Sequence, residues 1–148
     1  MRAVVQRVTR ASVTIDGAVT GSIGRGYLIL LGVGAADTAA EAERLWKKIF
    51  ALRLMEDEDG KTNRSLADVD GDVLVVSQFT LYADCRRGRR PSFTAAGDPA
   101  HAKELYERFV DLARQDVTRV ATGTFAADMK VELVNDGPFT IVLDTDEL

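Results

Sequence analysis

The stretch Tyr27-Leu28-Ile29-Leu30-Leu31 decides the fold, because it is apolar at every position. A strand with one face in water alternates apolar and polar residues, whereas a strand covered on both faces does not. The run therefore predicts a central strand, within residues 27–33, that is packed on both sides. A second strongly apolar stretch, Val73-Leu74-Val75-Val76, predicts another strand near residues 72–79.

Further strand patterns surround this centre. Residues 3–15 and 18–23 show mixed alternation, and Asp16-Gly17 between them is a turn signal. Three more strands are predicted near residues 118–122, 130–134 and 139–143.

Two segments carry helical signals instead. The first follows Thr38 and Glu41, which form a capping-box pattern, and the second starts with the cap Asp98 and with Pro99. Apolar residues recur at helical spacing in both, at Ala42, Leu45, Trp46 and Ile49 and at Ala102, Leu105, Tyr106 and Phe109. A surface pair between Glu43 and Lys47 is also expected on the first helix.

These elements predict an α+β fold. Its core is a largely antiparallel, curled sheet, or open β-barrel, and the two main amphipathic helices pack outside it. Because no linker composition and no internal repeat interrupts the chain, residues 1–148 are predicted to form a single domain.

Composition narrows the function classes. The hydrophobic fraction of 46% and the charged fraction of 28% are typical of a soluble globular protein, and no apolar run approaches the ~20 residues of a membrane span. Cys85 is the single cysteine, so no internal disulfide is expected, and a cytoplasmic location fits. The net charge of −4 argues against indiscriminate nucleic-acid binding.

Four arginines nevertheless lie within five positions, at Arg86, Arg87, Arg89 and Arg90. Such a cluster is either a solvated, mobile loop or a local contact to phosphates. Its position just after the strand at residues 72–79 favours RNA.

Two polar motifs are candidates for the chemistry. Ser77-Gln78-Phe79-Thr80 places hydroxyls and an amide at the end of an apolar strand, where they and the backbone N–H groups could stabilise a developing oxyanion. In Asn135-Asp136-Gly137-Pro138, the Asp-Gly pair would ordinarily predict a hairpin turn between two strands. Pro138 contradicts a simple hairpin, because it has no N–H and restricts the residue before it.

A protein base is not evident near either motif. His101 is the only histidine, and it falls near the start of the second helix, where a surface position is expected. A Ser-His-Asp triad is therefore not predicted, and a nucleophilic Thr80 would lack the base that it needs. The cysteine and histidine spacing of a zinc site is missing, and no cofactor is predicted.

Both motifs resemble those of the D-aminoacyl-tRNA deacylases (the D-tyrosyl-tRNA deacylase type), which free tRNA from D-amino acids. The resemblance extends over essentially the whole chain. It includes Gln6-Arg7-Val8 in the first strand and three later segments in the expected order, Arg90-Pro91-Ser92-Phe93, Phe125-Ala126-Ala127-Asp128-Met129 and Leu133-Val134. It implies a β-barrel-like core with helices outside, and hydrolysis of the ester bond of D-aminoacyl-tRNA and of glycine mischarged on tRNA.

The resemblance also implies roles for individual residues. Ser77, Gln78, Phe79 and Thr80 would be catalytic, with the ribose 2′-OH of the terminal adenosine helping to activate water. A Gly-cis-Pro dipeptide, here Gly137-Pro138, would protrude into the active site of a partner subunit, which requires a homodimer. The remaining assignments for substrate binding and chiral selection are Arg7 (which would hold the Gly-Pro loop), Asn135, Phe125 and Met129.

Several simpler interpretations stay open. From the residues alone, Arg7 reads as a solvated charge and Phe125 and Met129 read as core residues. The chain as a whole could be a non-catalytic module that binds the 3′ end of tRNA, or an esterase that acts on small molecules.

Overall fold

The computed structural model describes residues 1–148, with eight strands, two α-helices and three short 3₁₀ turns. The strands are β1 (Arg2–Ile15), β2 (Ala18–Ile23), β3 (Gly26–Gly32), β4 (Met55–Glu56), β5 (Thr62–Arg64), β6 (Asp72–Ser77), β7 (Val120–Thr122) and β8 (Lys130–Asp144). The helices are α1 (Ala39–Ala51) and α2 (Pro99–Asp116), and the 3₁₀ turns span Ala67–Val69, Phe79–Tyr82 and Thr145–Glu147. Neither helix has the length and apolar character needed to cross a membrane.

The long strand β1 organises the sheet, because both of its edges are paired. β3 and β2 follow one another along one edge, and β8 runs along the other from Arg2 to Thr14, all antiparallel to β1. The order continues from β3 to β6 and β7, and these two pairings are parallel. The predicted largely antiparallel sheet is thus correct for β1 and its neighbours, while the sheet as a whole is mixed.

The sheet curls until its ends nearly meet. β2 approaches β7 so closely that a side chain on Gly21 would place its Cβ 2.8 Å from the carbonyl oxygen of Thr122. A Cβ is essentially never found that close to another heavy atom, so glycine permits this contact. The α+β prediction, with a curled, barrel-like sheet and two helices outside it, is confirmed.

The central apolar run is buried on both faces, as predicted. Tyr27, Ile29 and Leu31 belong to the larger core beneath α1 and α2. Leu28 points to the opposite face and belongs to a smaller core inside the curl. The absence of alternation in the sequence therefore reflects two cores that share one strand.

The helix ends follow the local signals. The Thr38 hydroxyl accepts from the N–H of Ala40, and the Glu41 carboxylate accepts from the N–H of Thr38, which completes the predicted capping box. The second helix begins after the cap Asp98, also as predicted. Glu43, however, pairs across the helices with Arg108 at 2.5 Å, so the expected pair with Lys47 is wrong.

The prediction of separate strands at residues 130–134 and 139–143 is also corrected, because both belong to β8. Gln6 of β1 faces Thr140, and Val8 faces Asn135. Residues 136–139 therefore bulge out of the ladder opposite Arg7. The Gly-Pro dipeptide lies in a bulge within one continuous strand, where both halves of the strand pair with β1.

Candidate active site

A cavity of about 670 Å³ opens where β6 ends. Ser77 and the following Gln78 and Phe79 form one wall, and the segment from Phe125 to Met129 before β8 forms another. The remaining lining is mostly apolar and comes from Val33, Val76, Phe93, Ala96, Gly97, Pro99, Ala102 and Val131. The structure thus brings five of the predicted site residues around one space.

The chain turns sharply after β6, which exposes the polar groups of the motif. The N–H of Gln78 donates to the carbonyl of Leu31 at 2.8 Å and extends the pairing with β3 by one residue. The 3₁₀ turn then begins, with the N–H of Leu81 bonded to the carbonyl of Gln78. The amides of Phe79 and Thr80 take no part in the backbone hydrogen bonds of this turn, so they remain available as donors.

Arg2 holds the turn from behind. Its Nη1 donates to the carbonyl of Leu81 at 3.1 Å, its Nε donates to Asp144 at 2.7 Å, and its guanidinium lies 4.6 Å from the centre of the Tyr82 ring. The first strand and the end of the last strand therefore fix the turn that carries Gln78 and Phe79. Sequence reasoning missed this role of Arg2.

Thr80 lies beside the cavity and not in its lining. Its hydroxyl accepts a hydrogen bond from Nε2 of Gln78, so the two predicted site residues orient one another. Neither a histidine nor a carboxylate is hydrogen-bonded to this hydroxyl. The arrangement offers Thr80 no base.

His101 is half-buried, so the surface position expected for it is wrong. Its Nε2 lies 2.8 Å from the backbone carbonyl of Asp37, and this contact ties the start of α2 to the loop after β3. The imidazole makes no hydrogen bond to the motif at residues 77–80.

Asp37 is the centre of this scaffold. It accepts from the N–H of Gly34 at 2.5 Å and from the Tyr82 hydroxyl at 3.3 Å, and it pairs with the buried amino group of Met1 at 2.6 Å. Burial, together with the negative charge of Asp37, raises the pKa of Tyr82 well above its usual value. The Tyr82 hydroxyl therefore keeps its proton and donates it to Asp37.

Aromatic rings border the cavity on two sides. The ring of Phe93 packs edge-on against that of Phe79, with their centres 5.0 Å apart. Phe125 leans on Tyr106 of α2 with centres 6.1 Å apart, and like Met129 it is only half-buried. Phe125 and Met129 are therefore not plain core residues, because each also lines the cavity.

A second group of predicted residues surrounds the bulge of β8. Arg7 is 2% exposed, which excludes the interpretation of a solvated charge. Its Nε donates to the carbonyl of Asp136 at 3.0 Å, its Nη1 donates to the carbonyl of Leu54 at 2.7 Å, and its guanidinium stacks 4.3 Å from the Phe139 ring. The carboxylates of Asp136 and Glu56 lie 3.1 and 3.3 Å from it.

Asn135 closes the base of the bulge. Its side-chain amide donates to the carbonyl of Arg7 and to that of Phe139, both at 2.9 Å. The Gly137-Pro138 peptide bond is cis, and both residues are exposed. The tip therefore projects from a base that Arg7 and Asn135 anchor.

The two groups do not meet within one chain. Arg7, Asn135, Gly137 and Pro138 are absent from the lining of the cavity. In the sheet, β1 and β3 separate the bulged strand β8 from β6, which ends at Ser77.

The lining of the cavity is poor in titratable groups. Asp128 is its only ionisable side chain, and Asp128 is exposed and paired with Lys130 at 2.8 Å. The structure contains no group of three or more histidine, cysteine or acidic side chains that is arranged to hold a metal ion. Chemically, the arrangement can hold a planar ring between apolar walls and direct hydroxyl, amide and backbone donors at a polar group.

Sequence reasoning did not select the loop at residues 93–97 as part of the site. The exposed Phe93, an aromatic residue within a polar loop, was the available signal. Its role depends on the contact with Phe79, which the sequence does not display.

Comparisons with known proteins identify the family of the chain and agree with its fold. The family model described as D-Tyr-tRNA(Tyr) deacylase matches residues 4–144. A D-aminoacyl-tRNA deacylase of Thermotoga petrophila is 57% identical over 148 residues, which cover 100% of this chain and 99% of the relative. A protein of the same name from Koribacter versatilis is 60% identical over 145 residues, covering 98% and 97% of the two chains.

Solved structures show the same architecture. A structure titled c-Myc DNA Unwinding Element Binding Protein has a TM-score of 0.92 and 43% identity, and the match covers 97% of this chain and 98% of the other. A probable eukaryotic D-amino acid tRNA deacylase has a TM-score of 0.83 over 96% and 97% of the two chains. Its identity is only 17%, so this second likeness concerns the fold alone.

The family model and the named relatives define an enzyme of the carboxylic ester hydrolase class, a deacylase, and the solved structures share its curled sheet and two outer helices. Within that class, the chain belongs to the D-Tyr-tRNA(Tyr) deacylase family.

Proposed function

We propose that this protein hydrolyses the ester bond of D-aminoacyl-tRNA in the cytoplasm, and releases free tRNA and the D-amino acid. Glycine mischarged on tRNA is a second substrate in this proposal, and residues 1–148 act as a single domain within a homodimer. The observation that carries the proposal is the cavity at the end of β6. Hydrogen-bond donors from residues 77–79 line one side of it, and the half-buried ring of Phe125 lines another.

The terminal adenosine of tRNA fits the apolar part of this cavity. Unpaired bases at RNA ends are held by stacking on aromatic side chains. Phe125 and Met129 would contact the adenosine, which leaves the ester next to Ser77 and Gln78. The Ser77 hydroxyl, the Gln78 side-chain amide and the N–H of Phe79 would then surround the ester carbonyl, and each donor to the oxyanion is worth roughly 10²–10³ in rate.

Chiral selection is assigned to the Gly137-Pro138 tip of a partner subunit. A rigid stretch of main chain beside the α-carbon leaves no room for the Cβ of an L-residue, whereas a D-residue directs its Cβ away. The selection is made by rejection, so the D-side chain itself needs no pocket. Glycine has no Cβ and passes the same test.

Two observations support a site shared between subunits. The tip is exposed and anchored by Arg7 and Asn135, so it can enter a neighbouring molecule without loss of its shape. Neither residue of the tip lines the cavity of its own chain. A two-fold dimer would bring each tip to the cavity of the other subunit.

The substrate itself is proposed to supply the missing base. His101 is bonded to the carbonyl of Asp37, and Thr80 is bonded to Gln78, so neither activates water in this arrangement. In this proposal the neighbouring ribose 2′-OH of the terminal adenosine helps a water molecule to attack the ester. The Thr80 hydroxyl orients Gln78 in this scheme and is not the nucleophile.

The first experiment measures release of the amino acid from D-Tyr-tRNA, from L-Tyr-tRNA and from a simple ester. Release from D-Tyr-tRNA alone supports the proposal. Binding of tRNA without release would favour the non-catalytic 3′-end module, and hydrolysis of the simple ester would favour the small-molecule esterase.

A second experiment isolates the role of the 2′-OH. The substrate is a tRNA that ends in 2′-deoxyadenosine and is charged on its 3′-OH, and the control is the matched ribose form. Turnover of the deoxy form should fall sharply, and undiminished turnover would exclude assistance by the 2′-OH.

A further inference from the structure

The arginine-rich segment at residues 85–91, here named the arginine loop, has no role in the cavity or in the core. All of its residues are exposed. Its base is closed, because the backbones of Asp84 and Ser92 exchange two hydrogen bonds of 2.7 and 2.9 Å. Gly88 takes a positive φ of 70°, which lets the short loop reverse direction.

The four arginines are not equivalent. Arg86 binds Asp84 through Nε at 2.8 Å and Nη2 at 2.7 Å, and this contact holds the pKa of the Asp84 carboxyl well below its usual range. Arg86 is thereby committed to the base of the loop. Arg87, Arg89 and Arg90 make no ion pair within the chain, so three guanidinium groups face solvent on a protein of net charge −4.

The base of the arginine loop adjoins the cavity. Ser92 is followed directly by Phe93, whose ring lines the cavity and packs on Phe79. The three unpaired arginines therefore belong to a loop whose base adjoins a residue of the cavity lining. A polymer with its end in the cavity can meet such a loop with the part of its chain that lies outside.

We propose that the arginine loop binds backbone phosphates of the RNA strand that leads to the terminal nucleotide in the cavity. The inference rests on the proposed function, because it takes the 3′ end of an RNA as the occupant of the cavity. The guanidinium group presents paired donors that match phosphate oxygens, and an uncompensated local positive charge is what a polyanion selects. Phosphates carry no base identity, so the loop supplies affinity and orientation without preference among tRNA sequences.

The test replaces the three free arginines together, as R87Q/R89Q/R90Q, and leaves Arg86 and its bond to Asp84 in place. The matched control is R25Q/K47Q/K61Q, which removes the same charge from exposed residues outside the cavity lining that also make no ion pair. The probe is deacylated tRNA, which carries no amino acid, and its dissociation constant is measured between 50 and 200 mM salt. Thermal unfolding establishes that both variants remain folded.

Each lost phosphate contact lowers the slope of log affinity against log salt by about 0.7 for a single strand. Loss of three contacts should make the slope less steep by about 2. Between 50 and 200 mM salt, the affinity of the loop variant should then fall by a factor roughly sixteen times smaller than the factor for the wild type. The control should keep most of the wild-type slope. Equal slopes for the two variants would overturn the proposal, because the effect would then be one of net charge alone.

A second readout uses chemistry. The ratio of kcat/KM for D-aminoacyl-tRNA to that for D-aminoacyl-adenosine, which has no backbone phosphate, should fall in the loop variant through KM and not through kcat. An unchanged ratio would contradict phosphate binding. If the wild-type protein released no D-amino acid from either substrate, the proposed function would fail, and the salt dependence of tRNA binding would still decide the role of the loop.

Discussion

Replacement of Arg7 by alanine should weaken the exclusion of L-aminoacyl-tRNA and also destabilise the protein. Arg7 is almost fully buried and donates to the carbonyls of Leu54 and Asp136. Hydrogen bonds that involve a charged group contribute about 1.5–3 kcal/mol each. Water can replace Arg7 as the donor to the carbonyl of Asp136, because Asp136 is only partly buried. The loss of stability is therefore smaller than the sum of the two hydrogen bonds.

A total loss of about 2–4 kcal/mol in the free energy of unfolding follows. For a chain of this size, each kcal/mol corresponds to about 2–4 °C, so Tm should fall by roughly 5–15 °C. Without the guanidinium, the bulge also loses its stacking on Phe139 and its bond at Asp136. The rate of hydrolysis of L-Tyr-tRNA relative to D-Tyr-tRNA should rise at least tenfold, because a change of only about 1.4 kcal/mol in the difference between their activation free energies is sufficient.

The assay compares initial rates on D-Tyr-tRNA and L-Tyr-tRNA well below the Tm of the variant. Arg119→Ala is the matched control, since Arg119 is bonded to Asp70 and Asp72 and lies in neither the bulge nor the cavity. The control should lose stability and keep its selectivity. An Arg7→Ala protein that is folded and rejects L-Tyr-tRNA as well as the wild type would refute the assigned role of Arg7.

Three further predictions concern the cavity and its support. Thr80→Ala should keep kcat within about tenfold of the wild type, because Thr80 only orients Gln78; a loss beyond roughly 10³ would identify it as a nucleophile. Phe125→Leu keeps an apolar side chain against Tyr106 but removes the ring. Because stacking on a base contributes ~1–3 kcal/mol, KM for D-aminoacyl-tRNA should rise by about 5- to 150-fold, and an unchanged KM would contradict contact with a base. Burial opposes ionisation of Asp144, but the hydrogen bonds from Arg2 and the backbone outweigh it and lower the pKa of Asp144 in the folded protein. Asp144 therefore stabilises the fold above the pKa of the unfolded chain near 4, and this stabilisation is lost as the pH falls through the pKa of the folded protein. The difference in Tm between wild type and Asp144→Asn should accordingly be larger at pH 7 than at pH 3, and a difference independent of pH would contradict this linkage.

Local signals in the sequence were sufficient where the structure depends on near neighbours. Thr38 and Glu41 define the start of α1 because both capping bonds lie within three residues. Glu43 shows the limit of that reasoning, since its true partner Arg108 lies on α2 and is brought near only by helix packing.

Long-range pairing explains the rest of what the sequence did not reveal. The parallel alignment of β3 with β6 depends on the connection through α1, and no pattern inside either strand records it. The continuity of β8 across Gly137-Pro138 depends on its register with β1. The contacts that anchor Arg7 join residues that are 47 and 129 positions apart, so its burial could not be predicted from its apolar neighbours.

The bulge in β8 has a consequence for how the protein can change over evolution. Residues 140–144 and residues 130–135 are aligned separately on the single strand β1, on either side of Arg7. Neither half relies on the other for its alignment, so insertions or replacements at the tip leave the ladder intact on both sides. If the tip selects the stereochemistry of the substrate as proposed, that preference can change at this one place while the pairing of β8 with β1 is kept.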